Sequence, residues 1–376
     1  MVTEPLLPRY GNGCVSDLMA HLFSPSTAGV SIASPTNEAG RTAPTIGIAK
    51  QRVLFVLDGL GWEQLCDRWA LAPTMAKMVG GPITTVAPST TATALTSITT
   101  SLTPGEHGMV GYRMMVDGEV LNALRWSTGS RPDARKTMPP ELLQPYPPFQ
   151  GNRTAMVTKS EFATSGFTMA HLRGGRLAGY RTPATLVHEI VNEIRQGEPV
   201  VYAYWDGVDK VAHEYGLNSV YDSEVVFADR LVAAVCEALP SGVEVLVTAD
   251  HGQVDCANGL IEIDDSVKSL VSDLSGEGRF RWLHSAGAPA GEIAALALEA
   301  HGSVSWVRTL EQILDEHWFG PSVSPEARDR LGDVALVPFE PIAFADPDDT
   351  GIFELIGRHG SLTSAEMLVP LLQLIT

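Results

Sequence analysis

Three short apolar runs set the pattern of this chain. Residues 52–57 (RVLFVL), 199–205 (PVVYAYW) and 243–249 (VEVLVTA) are continuous stretches of β-forming residues. Strands buried on both faces read this way, whereas half-exposed strands alternate. Each run ends in acids: Asp58 after the first, Asp206 and Asp209 after the second, Asp250 followed by His251 after the third. Between them, 61–79, 92–102, 183–195 and 220–239 read as helices, the last with apolar residues at helical spacing through VVFADRLVAAVCEAL. Strands alternating with helices predict an α/β fold with a mostly parallel central sheet covered by helices on both faces. In such sheets ligands bind beyond the carboxyl ends of the strands, where these acids fall.

Residues 1–50 are rich in Pro, Gly, Ser and Thr without periodicity, and predict an irregular arm that carries no chemistry. Residues 51–376 are expected to form one domain interrupted by insertions at about 112–180 and about 256–345. The second insertion has strand-like pieces of its own (LIEI, RFRWLH, DVALVPFE) and a helical stretch at 291–300, and the two insertions are expected to form a lid or small α+β subdomain. No internal repeat or heptad run appears.

Composition narrows the function classes. The chain has 376 residues, 44% hydrophobic and 19% charged, enough for a sizeable core and too apolar for wholesale disorder. Its net charge of −18 argues against a nonspecific grip on nucleic-acid backbones or anionic membranes, which needs clustered cations. Small anions at a metal site remain compatible with it. Cys14, Cys66, Cys236 and Cys256 lie far apart with no Cys-x-x-Cys spacing, so neither a disulfide scaffold nor a thiolate zinc site is indicated. The start, MVTEPLLPRYGNGC, lacks the pattern of a secretory signal, and no apolar run has bilayer-spanning length. A cytoplasmic protein without a membrane partner is expected, and nothing in the sequence specifies an oligomeric state.

Taken one at a time, the polar residues have plain readings. Asp209 and His213, in DGVDKVAH, share one helix face at i, i+4: a partial zinc ligand set, or a solvated surface pair. Asp250, His251 and Gly252 suit a turn with a surface imidazole, and Asp58 ahead of Gly59 suits a turn former. His359 precedes Gly360 and a capping pattern with Ser361 or Thr363 as cap and Glu366, as a loop residue before a short helix would. Several Asp and His residues at predicted strand ends, however, make a convergent set suited to two zinc-like ions. Ser89, Thr90 and Thr91 stand where a helix begins, as caps or as a hydroxyl that a metal could convert to an alkoxide.

With these segments in order, the chain resembles the alkaline phosphatase superfamily, most closely its type I phosphodiesterase/nucleotide pyrophosphatase branch. The resemblance is carried by LDGLG at 57–61, PSTTA at 88–92, TSLTPGEHGMVGY at 100–112, Asp-x-x-x-His at 209–213, ADHG at 249–252 and HG at 359–360. It implies a metal-dependent phosphoric ester hydrolase for small phosphate esters. One zinc would be held by Asp209, His213 and His359 and the other by Asp58, Asp250 and His251. Thr91 would bridge to the second zinc as nucleophile, with Thr90 as the fallback, through a covalent phosphoryl-threonine. Manganese or iron suits the same ligands.

The chain departs from the nucleotide pyrophosphatase pattern just after Thr91. That pattern has Phe-Pro-Asn-His, its Asn donating to a phosphoryl oxygen, where this chain has Ala92, Thr93, Ala94 and Leu95. Thr93 Oγ or the backbone N–H of Ala92 is expected to stand in. Sulfatase relatives need Pro and Arg after the nucleophile, which are missing here. Arg113, Lys159, Arg173 and Arg181 are candidates to reach a substrate phosphate or to make ordinary surface pairs; Tyr204 and Trp205 are expected in the core or the site wall. His107 is expected in a structural turn, and His284 and Cys256 receive no role. With no cation cluster beside the motifs, a diester is favoured over a monoester. The rival from another class is a non-catalytic metal-binding protein of the same fold.

Overall fold

The three apolar runs become adjacent strands. The computed structural model describes residues 4–23, 30–31, 41, 43–349 and 354–376. Its central sheet contains β1 (Gln51–Leu57), β2 (Val79–Thr84), β3 (Ala155–Val157), β4 (Arg176–Leu177), β5 (Val200–Trp205), β6 (Val243–Thr248) and β7 (Leu368–Ile375). Their spatial order is β2-β7-β6-β1-β5-β3-β4. Strands β6, β1, β5, β3 and β4 run parallel, while β7 is antiparallel to both its neighbours, β6 and β2. Val53–Leu57 and the whole of β6 are buried at consecutive positions. Because successive side chains point to opposite faces, such runs require cover on both sides of the sheet. The expected mostly parallel α/β architecture is thus the one observed.

Topology decides where the chemistry collects. Parallel β1, β5 and β6 end at one edge of the sheet and deliver Asp58, Asp206 and Asp250 there. An antiparallel strand begins where its parallel neighbours end, so His359, upstream of β7, reaches the same edge. Strand β2 runs with the parallel set and leads through residues 85–90 into α1 (Thr91–Thr100), whose N-terminus opens on that edge. The helices α2 (Pro183–Arg195), α3 (Gly207–Tyr215) and α4 (Ser219–Ala238) complete the crossovers. In α4 the buried residues Tyr221, Val225, Ala228, Leu231, Val232 and Val235 recur at helical spacing.

Some expectations change. The helix expected over 61–79 is three short pieces, Trp62–Cys66, Trp69–Leu71 and Pro73–Lys77, before Val79 opens β2. Pro73 restarts the helix because its ring fixes φ and it lacks the N–H that would continue the preceding turn. After His359 the short helix is present (Ser364–Met367), but it leads directly into β7. Within 112–180, Arg113–Val116 and Glu119–Asn122 form a hairpin, whereas β3 and β4 belong to the central sheet. The described part of the 1–50 arm is not irregular throughout: Leu18–Phe23 is a helix, and Val15, Leu18, Met19 and Leu22 are buried in the main core. The remainder of that arm lies outside the described residues.

Residues 271–277, 280–285, 334–338 and 305–309 form a four-stranded antiparallel sheet in that spatial order, backed by the helix Ala290–His301. It has its own apolar cluster, including Leu283, Ile293, Val307, Leu336 and Phe344. Arg279 ties it to the main body through a fully buried, two-pronged pair with Glu366 at 2.7 and 2.8 Å.

Candidate active site

The turn after β1 brings two strand ends together. Gly59 has φ +74°, and a Cβ there would come within 2.9 Å of the Cα of Asp209. A glycine therefore lets α3 approach, and Asp209 N–H donates to the Asp58 carbonyl at 3.0 Å. Asp209 lies in the first turn of α3 and His213 in its last. Oδ1 of Asp250 accepts from the N–H groups of Gly59 and His251, each at 3.1 Å, while its buried Oδ2 has no hydrogen-bond partner. Asp58 repeats the arrangement: Oδ2 accepts from the Tyr204 hydroxyl, and buried Oδ1 has none.

The three histidines are oriented alike. Nδ1 of His213 lies 2.7 Å from the Gly357 carbonyl, Nδ1 of His251 lies 3.0 Å from that of Gly252, and Nδ1 of His359 lies 2.9 Å from that of Ser89. A carbonyl can only accept, so each Nδ1 carries a proton, and Nε2 is the nitrogen each ring turns toward the site. Those Nε2 atoms converge on the acids. His213 is 3.2 Å and His359 3.8 Å from Oδ1 of Asp209; His251 is 3.4 Å from Oδ1 of Asp58 and 3.5 Å from Oδ2 of Asp250. The hydroxyl of Thr91, the first residue of α1, is hydrogen-bonded to Nε2 of His251 at 3.1 Å.

Ligand atoms of Asp209, His213 and His359 lie within 4.8 Å of one another, as do those of Asp58, Asp209 and His251. Asp209 thus belongs to both groups. Burial, then the charges of Asp250 and Asp209, hold the Asp58 carboxyl well above the usual carboxylate range. Burial, then the neighbouring His251 and His213, holds the His359 imidazole well below its ordinary value. Crowded acids, three convergent imidazole Nε2 atoms and two orphaned carboxylate oxygens are a donor set that divalent cations complete. The chemistry of the residues fits metal.

The structure therefore brings Asp58, Thr91, Asp209, His213, Asp250, His251 and His359 to one place. Other candidates are used elsewhere. Arg113 pairs with Asp346, Arg173 donates to the carbonyls of Ala170 and Tyr146, and Arg181 is exposed. Lys159 pairs with Asp206, which also binds Lys210. His107 bonds Ser97 at 2.8 Å in a buried turn, and His284 bonds Ser275 at 2.7 Å. Trp205 Nε1 donates to Glu224, while Tyr204 supports Asp58. Sequence reasoning missed Gln253, whose Nε2 donates to Oδ1 of Asp209 at 2.6 Å. Its position two residues after His251 was the available signal.

Two cavities meet at Thr91 and Asp209. The smaller, about 250 Å³, is walled by Leu95, Phe162, Phe167 and Tyr204, with Lys210 at its side. The larger, about 640 Å³, takes in His213, His359, Glu277 and Arg358.

Residues 52–362 match the family model described as type I phosphodiesterase/nucleotide pyrophosphatase. Murine ectonucleotide pyrophosphatase/phosphodiesterase 5 superposes with a TM-score of 0.62 at 18% identity, covering 86% of this chain and 87% of its own. An inactive form of that protein in complex with AMP gives 0.61 at 17% identity, with the same coverage of 86% and 87%. Phosphonoacetate hydrolase from Sinorhizobium meliloti 1021, in complex with phosphonoformate, gives 0.63 at 20% identity over 92% of this chain and 93% of its own. No curated protein sequence matches the chain.

Proposed function

The chain belongs to the type I phosphodiesterase/nucleotide pyrophosphatase family and is a hydrolase of phosphoester bonds; on that premise we propose that it cleaves small phosphodiesters or pyrophosphates with Thr91 as nucleophile. The observation that carries this reading is the 3.1 Å approach of the Thr91 hydroxyl to His251 Nε2, beside the orphaned oxygens of Asp58 and Asp250.

Asp209, His213 and His359 would hold one divalent cation and Asp58, Asp250 and His251 the other, with Asp209 close to both. Imidazole and carboxylate favour zinc, and manganese or iron suits the same set. Such a pair supplies positive charge against the reacting oxygens and acidifies a hydroxyl. The chain's own residues do the rest. Thr91 Oγ1 attacks phosphorus in line, the bond to the departing oxygen breaks, and a covalent phosphoryl-threonine forms. Water then attacks phosphorus and restores the threonine. The Thr90 side chain makes no capping bond to α1, which leaves the first-turn N–H groups, Ala92 among them, to donate to phosphoryl oxygens. Thr93 Oγ1, buried and without a partner, is the alternative donor. Among the described residues no helix is long and apolar enough to cross a membrane, and a cytoplasmic site of action is part of the proposal.

Turnover of a nitrophenyl monoester against a nitrophenyl nucleotide diester tests the substrate class. The diester is expected to win, and a preference of about a hundredfold for the monoester would reverse the assignment. That second reading, monoester hydrolysis, draws on Lys210 beside the smaller cavity, where a cation would meet the extra charge of a dianion.

A further inference from the structure

Thr90, the residue before the attacking threonine, leaves undone what its position calls for. It stands at the amino end of α1 with extended backbone angles, φ −134° and ψ 147°. From there a threonine hydroxyl ordinarily turns back to accept the N–H of the second or third helical residue. Thr182 does so: it precedes α2 with φ −134° and ψ 161°, and its side chain accepts from the Thr185 N–H. Thr90 makes no such bond. Its backbone permits one, so the cause lies in the side chain. The Thr90 hydroxyl is hydrogen-bonded to the carboxyl of Glu277 instead. Thr363 shows the same diversion, donating to Glu366 at 2.5 Å and making no cap bond to its own helix.

The tertiary fold delivers Glu277 to Thr90. Glu277 ends the strand 271–277, is buried, and lies beside the larger cavity with Thr90, Thr91 and His359. Ser89 and Gly360 form an isolated antiparallel bridge, the Ser89 N–H donating to the Gly360 carbonyl at 3.2 Å. Gly360 has φ +127°, and a Cβ there would meet the Glu277 Cγ at 2.7 Å, so the glycine is what admits the Glu277 side chain. The consequence falls on α1. The Ala94 N–H donates to the Thr90 carbonyl at 2.9 Å as the first bond of that helix, so the N–H groups of Ala92 and Thr93 have no acceptor within it. A hydroxyl turned back from Thr90 would take one of them. We propose that Glu277 is a positioning residue, which holds the Thr90 hydroxyl away from α1 and so keeps these N–H groups open for the phosphoryl oxygens. This rests on the reading of Thr91 as the attacking atom, with the amino end of α1 facing the phosphoryl group.

A double-mutant cycle on the metal-loaded full chain tests it, with p-nitrophenyl methyl phosphate as substrate. Glu277→Met roughly keeps the side-chain volume and removes the carboxyl. In the wild-type background it should lower kcat/KM about fivefold, the cost of breaking one cap bond each time substrate enters. In the Thr90→Val background, which has no hydroxyl to cap with, the same change should cost less than about twofold. Glu277→Gln, whose amide oxygen still accepts from Thr90, should lose less than Glu277→Met. Metal per chain, counted by mass spectrometry, should be the same in every variant. Equal losses in the two backgrounds, a Glu277→Gln loss as large as that of Glu277→Met, no loss in Glu277→Met, or a fall in metal content would overturn the inference and leave the hydrolase reading intact. A Glu277→Met protein that failed to fold would mark the residue as structural and overturn it too. A metal-loaded wild-type protein that did not cleave the ester would overturn the reading of the site, and this inference with it.

Discussion

Gln253 donates through Nε2 to Oδ1 of Asp209 at 2.6 Å, the same oxygen that lies 3.2 Å from Nε2 of His213. An uncharged amide thus fixes the rotamer of the acid shared by both ligand groups. Replacing Gln253 with Ala removes that restraint and none of the seven site residues. Metal affinity is expected to fall about 10- to 100-fold, the usual cost of losing such a support. Competition against a chromogenic chelator measures it, and wild-type affinity in the variant would refute the role.

Asp209 and His359 should differ in what they cost. Asp209 lies within reach of both groups of ligand atoms, His359 of one. His359→Gln is expected to lose about one of the two metal equivalents, and Asp209→Asn more than one, when metal per chain is counted by mass spectrometry. Equal losses would mean that Asp209 serves a single ion.

The Arg279–Glu366 pair is fully buried and links the four-stranded sheet to the segment carrying His359. Glu366 also accepts the Ser361 N–H at 3.0 Å. Removing one partner strands a charge, so Arg279→Met is expected to destabilise the fold by about 3–5 kcal/mol. The double variant Arg279→Met with Glu366→Leu should recover part of that loss. Chemical denaturation of the three proteins checks it, and a double variant no more stable than the single would contradict this account.

Burial pushes the Glu277 carboxyl up to about 8. A carboxyl raised on folding binds its proton more tightly in the native state. Its contribution to stability is therefore full below the unfolded-state value of about 4.5 and is lost as pH rises through about 8. In metal-free protein, Glu277→Gln should leave Tm nearly unchanged at low pH and raise it relative to wild type by a growing margin toward pH 8. Thermal scans across that window test the sign; a constant difference would show that Glu277 does not titrate there.

How much of this was legible in the sequence follows from which residues carry a local signal. The strands ending at Asp58, Asp206 and Asp250 were legible because continuous apolar runs are short-range and unambiguous. Strands β2 and β7 were not. Each contains a proline, Pro82 and Pro370, which ordinarily argues against a place inside a sheet, yet the two face each other in the β2–β7 pairing. At Gly80 a Cβ would come within 2.0 Å of the Leu371 carbonyl, so the glycine that weakens the strand pattern is what permits this contact. The seven candidate site residues were readable because Asp, His and Thr stand in short ordered motifs. Tyr204 could be anticipated only as wall, since its bond to Asp58 joins two different strand ends. Glu277 gave no signal, because only the tertiary fold carries the 271–277 strand over Gly360.

The central claim is that Thr91 becomes covalently attached to phosphorus during turnover. The most direct measurement is rapid acid quenching of the metal-loaded protein with p-nitrophenyl methyl phosphate, followed by peptide mass spectrometry. The account predicts a methylphosphoryl group on Thr91 that accumulates as nitrophenol is released and is absent in Thr91→Ala, whose metal content should be retained. Turnover with no adduct at Thr91, or undiminished hydrolysis by Thr91→Ala, would contradict it.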